Sequence, residues 1–377
     1  MIAYDNQWLY NLYTRDQADE ALDANCIDAD THAAIYSAAP VGFYTPNIWG
    51  RIGIALLTWL AITMGFSFFG LIFSLFDSPA VALIFAAVVL YGALEVVVVK
   101  QMLHHNSGSD NTLILLVAAS FITGIGVATA SGDGSHFLFV ALCSAAICTY
   151  LAMRFADALM SILAALSVVI MIFLACNEIG AKAIAPFLIM GASFALYYTS
   201  AKLVRNDRWV LYRTCLNCIS ITALVTLYLA GNYYIADAAS GNMGYDRYGS
   251  AYRMQNHVPL GWFFWLWTVL VPFAYIAAGI RSRNRILIRT GLVLISAAIF
   301  TYRHYYSLLS VDKALAIGGA VLALAGYALS RYLQTPKHGF TFEKETRINE
   351  RETLHRALAE HVMSKTADDQ RPQDGSW

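Results

Sequence analysis

The chain has 377 residues, 58% of them hydrophobic and 13% charged, with 25 Lys and Arg balanced by 25 Asp and Glu. Soluble domains carry about 25% charged residues, so this composition excludes an ordinary soluble protein and predicts an all-α polytopic transmembrane bundle in the lipid bilayer. A formal net charge of zero leaves no basic footprint, which argues against a nucleic-acid partner.

Residues 1–50 read as a polar N-terminal region. Leu9, Leu12, Ala18, Ala21 and Leu22 form a helical stripe, Asp28 or Asp30 is placed to cap a second helix, and Pro40 ends it. Asp5, Arg15, Asp16, Asp19 and Glu20 precede any apolar run, so no signal peptide is expected and the first span serves as its own insertion signal. Phe43, Tyr44 and Trp49 suit an interfacial aromatic belt.

Ten candidate spans follow within a bundle of residues 51–333, near 52–76, 79–99, 111–130, 136–153, 158–176, 183–201, 210–230, 260–280, 286–308 and 312–333. Each approaches the roughly 20 residues that a bilayer core demands. Asp77-Ser-Pro79, Asn106 to Asp110, Ser131 to Ser135 and Asn177 to Gly180 supply turn signals between them. Alternate connections are rich in Lys100, Arg154, Lys202, Arg205, Arg208, Arg281, Arg283, Arg285, Arg331 and Lys337. The positive-inside rule puts these in the cytoplasm, together with both termini, as an even number of spans requires. The longest loop, Gly231 to Val258, then lies on the outer side with its tyrosines. Residues 334–377 form a cytoplasmic tail. In it, Phe342 to Lys365 reads as one charged helix with a narrow apolar stripe, a candidate surface for a protein partner.

The ninth span draws the most attention. Arg289 leaves only Thr290 to Tyr302 uncharged, about 20 Å of helix where a bilayer core needs about 30 Å. The helix is therefore expected to run on through Arg303 and His304 to about Leu308. A guanidinium beside an imidazole, with Tyr302 and Tyr306 near, is a candidate binding site for a small anionic solute. The alternative is that both side chains reach the headgroup region. Glu95, four residues before the end of the second span, is either a proton site or the partner of Lys100 or Arg154.

Other features read as structural. His104 and His105 lack a carboxylate at ligand spacing, so no metal or other cofactor is expected. Cys215-Leu-Asn-Cys218 has no second cysteine pair and is read as packing, and Asn217 as interhelical glue. Pro186 and Pro272 are candidate kinks. Trp262, Phe263, Phe264, Trp265 and Trp267 form an interfacial anchor or a platform for a head group. Nucleophile-elbow, P-loop and HExxH patterns are absent, and the chain is not expected to be an enzyme.

Three patches, Gly42-Phe-Tyr-Thr-Pro-Asn47 with Arg51-Ile-Gly53, Tyr302-Arg-His-Tyr-Tyr306, and Lys337-His-Gly-Phe-Thr341, resemble bacterial polytopic inner-membrane proteins grouped as a domain of unknown function. The resemblance implies a bacterial inner-membrane location and carries no catalytic residues. Two functions compete: a secondary transporter or permease-like protein with Arg303 on an anionic solute, and a membrane scaffold or envelope-sensing subunit that binds partners through its cytoplasmic ends.

Overall fold

A computed structural model describes residues 2–24, 26–72, 78–130, 136–239, 243–245, 251–253 and 260–305, with scattered helical positions between 319 and 332. Two short helices come first, α1 (Asn6–Asp23) and α2 (Ala29–Ala38). The Asp5 carboxylate accepts from the Trp8 amide at 3.0 Å and the Asp28 carboxylate from the Thr31 amide at 3.0 Å, so each helix starts on an aspartate cap. The long helices are α3 (Ile48–Ile72), α4 (Pro79–Gly92), α5 (Ser109–Thr129), α6 (His136–Phe155), α7 (Ala158–Glu178), α8 (Ala185–Val204), α9 (Arg213–Gly231), α11 (Gly261–Ser282) and α12 (Arg285–Tyr305). Among the described residues, nine helices are long and apolar enough to cross a membrane. The protein is an all-α bundle of about ten spans, and most of the tenth expected span, 312–333, lies outside the described residues.

Several expectations need correction. The second span does not end near 99 as a plain α-helix: α4 widens into a π-helical segment, Ala93–Gln101. A 3-10 turn, Asp207–Tyr212, leads into α9. Helix α3 begins at Ile48, so Trp49 stands on the helix and not in the approach to it. The expected outer loop is partly folded, into α10 (Tyr233–Ala239) and a hairpin of β1 (Met243–Tyr245) with β2 (Ala251–Arg253), Met243 opposite Arg253.

Neither proline breaks a helix. Pro186 stands in the first turn of α8, where its missing N–H has no partner to lose. Pro272 lies inside a continuous α11. It deprives the Thr268 carbonyl, four residues back, of its usual donor. The Tyr228 hydroxyl of α9 approaches that carbonyl at 3.5 Å and takes the donor's place.

Two cores hold the bundle. One gathers Leu94, Ile114, Val117, Leu151, Phe155 and Met160 from α4 to α7, and extends to Tyr4 and Leu9 of the N-terminal region. The other gathers Leu224, Tyr228, Val271, Tyr275, Leu287 and Leu294 from α9, α11 and α12, with Ile189 and Met190 of α8. Lipid is as apolar as leucine, so close approach and interhelical hydrogen bonds carry the association. Gly291 leaves room for the Pro272 carbonyl, which a Cβ there would meet at 2.9 Å. Hydroxyl pairs Ser144–Ser167 at 2.9 Å, Ser193–Thr226 at 2.9 Å and Ser200–Ser220 at 2.8 Å each join adjacent helices. Such bonds contribute about 0.6 kcal/mol apiece in membranes. Helix α3 stands apart: it packs along α5, and none of its membrane-length stretch is buried.

Candidate functional site

Polar chemistry gathers at the two ends of the bundle. At one end the N-terminal segment docks on the connection between α4 and α5. Asp110, 1% exposed, accepts from the Asn106 amide at 2.6 Å, the Ser107 amide at 2.9 Å, the Ser107 hydroxyl at 3.2 Å and the Tyr4 hydroxyl at 3.3 Å. The Tyr4 ring also meets Phe43, His105 and Phe155. Burial, with the Asp110 charge alongside, pushes the Tyr4 hydroxyl far above its ordinary pKa, so it donates and stays neutral. Burial pulls His105 down, which keeps its ring neutral. Its Nδ1 has no hydrogen-bond partner among the described residues.

The seat for this dock is backbone geometry. Gly108 adopts φ +98°, and any Cβ there would collide with the Arg51 carbonyl of α3. Tyr44 donates its amide to the Leu103 carbonyl at 3.1 Å and bridges to His104 in parallel. The Trp8 ring lies where a Cβ on Gly42 would stand. The patch from Gly42 to Gly53 therefore forms part of the dock. Asp157 caps α7 through the Met160 amide at 2.8 Å and accepts from the Asn111 side chain at 3.1 Å. Burial holds its carboxyl above the usual carboxylate range, with the Asp110 charge acting the same way.

Glu95 pairs with Arg154, the last-turn arginine of α6, and not with Lys100. The π-helical segment carries Glu95 in its first turn. Above this pair, the Tyr91 and Tyr150 hydroxyls lie 2.8 Å apart. They border a recess of about 580 Å³ between α4, α5 and α6 that opens to the outside of the bundle past exposed Val88 and Tyr150, lined also by Val117, Phe121, Ile125, Cys143 and Ile147 among others. The lining ascends about two helical turns from Tyr150 to Cys143, or about 10 Å. Hydrocarbon walls with one hydrogen-bonding end suit an amphiphile.

At the opposite end, the residues expected to bind an anion are only partly in view. Tyr302 is exposed, and its ring meets Trp265 edge-on. Arg303 is half-buried on the last turn of α12. His304 is helical, while its side chain and the whole of Tyr306 lie outside the described residues, as do the expected reach to Leu308, the Lys337 to Thr341 patch and the tail helix. The side chain that turns inward here is Thr301, 3% exposed. It exchanges hydrogen bonds with the Asn232 side chain at 2.9 and 3.1 Å, and Asn232 also donates to the Tyr228 hydroxyl at 3.1 Å. Thr268 accepts from the Tyr233 amide at 3.0 Å, and Tyr233 stacks on Trp265 at 4.8 Å. The aromatic group at the start of α11 thus forms a layer shared with α10.

Sequence reasoning missed Asp110, Asn232 and Thr301, and weighed His105 only as a metal ligand. Asp110 carried the one usable signal, an aspartate three residues after a serine at a helix start. Asn232 and Thr301 are 69 positions apart, and nothing local in the chain announces their meeting. Cys143, Cys148, Cys176, Cys215 and Cys218 form no disulfide, and Cys215 is buried as packing. Among the described residues no cluster of His, Cys, Asp or Glu is arranged to hold a metal ion. No family model matches the chain, and no curated protein or solved structure matches it.

Proposed function

We propose that this chain is a permease-like, non-enzymatic protein of a bacterial inner membrane that admits a lipid-soluble amphiphile between α4, α5 and α6. One observation carries the reading: a cavity of about 580 Å³ with apolar walls that ends on the Tyr91–Tyr150 hydroxyl pair, beside Glu95 and Arg154. Ligand pockets span about 300–1,000 Å³, so the volume fits a body of drug or short-lipid size. Burying hydrocarbon against these walls supplies affinity, and the hydroxyl pair fixes the head. The Glu95–Arg154 pair presents a full dipole at that end without a net charge, which favours a neutral hydrogen-bonding head over an anion.

Cys143 lines the cavity and reports on it. Dodecanol is expected to slow alkylation of Cys143 by N-ethylmaleimide several-fold, read by mass spectrometry against half-buried Cys218 as the internal control. Filling the cavity by Ala146→Trp should abolish that protection. Tyr150→Phe should weaken it about two- to tenfold, the worth of one hydrogen bond. Equal dodecanol effects on Cys143 and Cys218 would sink the reading.

Lys100, Arg154, Arg205, Arg208, Arg281, Arg283 and Arg285 lie in or beside connections on the side of α1 and α2, which supports a cytoplasmic N-terminus. Exposed Cys26 tests this, because the other five cysteines lie in spans. A membrane-impermeant maleimide is expected to leave Cys26 unlabelled in intact cells and to label it after permeabilisation. Labelling in intact cells reverses the orientation.

A second reading places a small anionic solute at Arg303, supported by its half-buried position next to the Tyr302–Trp265 aromatic layer. Anion uptake into proteoliposomes that is unchanged in Arg303→Ala removes it.

A further inference from the structure

The turn between α11 and α12 concentrates positive charge that nothing in the described chain neutralises. Arg281, Arg283, Arg285 and Arg289 fall within nine residues, and all four are exposed. The turn itself is firmly built. The Asn284 amide donates to the Gly279 carbonyl at 2.9 Å, and the Asn284 side chain accepts from the Ile286 amide at 2.9 Å. Arg283 sits at φ +55°, a left-handed cap that turns the chain sharply between its neighbours. Leu287 and Thr290 are buried on the other face of α12, so the arginines are held on a fixed surface.

Helix α8 brings further charge to the same place. Tyr197 of α8 and Ile286 of α12 pack against the same core, and Arg205 follows Tyr197 by about two helical turns. Arg205 and the nearby Lys202 are exposed at the end of α8. Among the described residues, the ion pairs are His32 with Asp19 and Arg154 with Glu95, so none of these six cations has a carboxylate partner. The carboxylate nearest in sequence, Asp207 of the 3-10 turn, pairs with none of them. That turn also carries half-buried Trp209, a residue type that settles at headgroup depth.

We infer that Arg281, Arg283, Arg285 and Arg289, with Lys202 and Arg205, form a binding surface for the headgroup of an anionic phospholipid of the surrounding bilayer. Guanidinium forks match phosphate oxygens two at a time, and several arginines at fixed spacing select a doubly charged headgroup over a zwitterionic one. The patch lies at the ends of apolar spans, so acyl chains continue from it along the exposed faces of Phe273 and Val293. This surface is independent of the α4–α5–α6 cavity, and neither proposal falls with the other.

The test uses the full chain purified in neutral detergent and titrated with cardiolipin, phosphatidylcholine or inorganic phosphate. Thermal unfolding and native mass spectrometry read the result. Cardiolipin is expected to raise the unfolding midpoint and to stay bound in the gas phase, whereas phosphatidylcholine and phosphate leave both unchanged. Each Arg→Gln substitution among Arg281, Arg283, Arg285 and Arg289 should weaken cardiolipin retention about fivefold. Equal stabilisation by phosphatidylcholine, an equal shift from phosphate alone, or retention unaltered in the fourfold Gln variant overturns the inference. Should that variant misfold, the unmutated protein decides: retention must fall steeply with added salt, and salt-independent retention overturns it.

Discussion

Replacing Asp110 with alanine is expected to lower the stability of the folded chain by about 3–5 kcal/mol. Four donors converge on this carboxylate: two backbone amides, the Ser107 hydroxyl and the Tyr4 hydroxyl. Ser107 is 0% exposed and Tyr4 5%, so most of these donors have no route to water once the acceptor is gone. A buried donor without a partner costs about 1–3 kcal/mol, and partial rearrangement of the loop lowers the sum below four times that value. Asp110→Asn should recover little, because its amide presents donors to donors. Denaturant unfolding in mild detergent measures the loss, and limited proteolysis should show the segment before Asn6 cut faster. A change within about 1 kcal/mol would mean that the N-terminal dock rests on ring packing alone.

Arg154→Ala is expected to cost about 1–3 kcal/mol, because it leaves Glu95 without its partner near the end of a span. Insertion scales put a lone carboxylate at the centre of a span near 2.5–3.5 kcal/mol, and a site nearer the helix end is cheaper. The prediction carries an internal check. Glu95→Gln combined with Arg154→Met should lie well above either single variant in stability, since the combined change removes both charges and leaves none alone. A double-mutant cycle on unfolding midpoints reads the coupling. Additive losses would show that the pair is solvated and contributes nothing. Cavity access at Cys143 should also change in Arg154→Ala, because the Tyr91–Tyr150 pair lies next to the same carboxylate.

Much of the architecture is legible because hydrophobic runs of bilayer length have few alternative explanations. The cap of α2, expected at Asp28 or Asp30 and found at Asp28, and the stop at Pro40 were readable from a single residue type in the right place. The junction of α6 and α7 falls between the expected spans 136–153 and 158–176. Its left-handed Ala156 was not expected, because alanine gives no sign of positive φ. Pro272 leaves α11 continuous for an instructive reason. A proline reports that a donor is missing, and the sequence around it is silent about whether another helix supplies one. Here Tyr228, 44 residues earlier, does. The π-helical widening after Gly92 likewise has no mark in the valine-rich run that forms it.

The candidate site was less legible. Charge in an apolar context marks Arg303 and Glu95, and of the two only Glu95 has an ion-pair partner within the described residues. The cavity is made of valine, isoleucine, phenylalanine and alanine, which one-dimensional reading assigns to core or lipid contact without distinction. The buried polar network of Asn232, Thr301 and Tyr228 uses uncharged residues that are common in membrane helices, so composition does not single them out.

Helix α1 has a mechanical consequence. The amide of Ala3, just before it, is pinned to the Arg154 carbonyl of α6 at 2.8 Å, and Tyr13 on its third turn receives Arg213 of α9 at 2.7 Å. The first anchor is on α6, which contributes Leu151 and Phe155 to one core, and the second opens α9, which contributes Leu224 and Tyr228 to the other. A stiff rod of 18 residues fastened at one end to α6 and midway to α9 acts as a tie bar. Any rocking of one half of the bundle against the other must break one of the two fastenings or carry the rod along. The polar N-terminus is thus a brace whose release sets how far the halves can part.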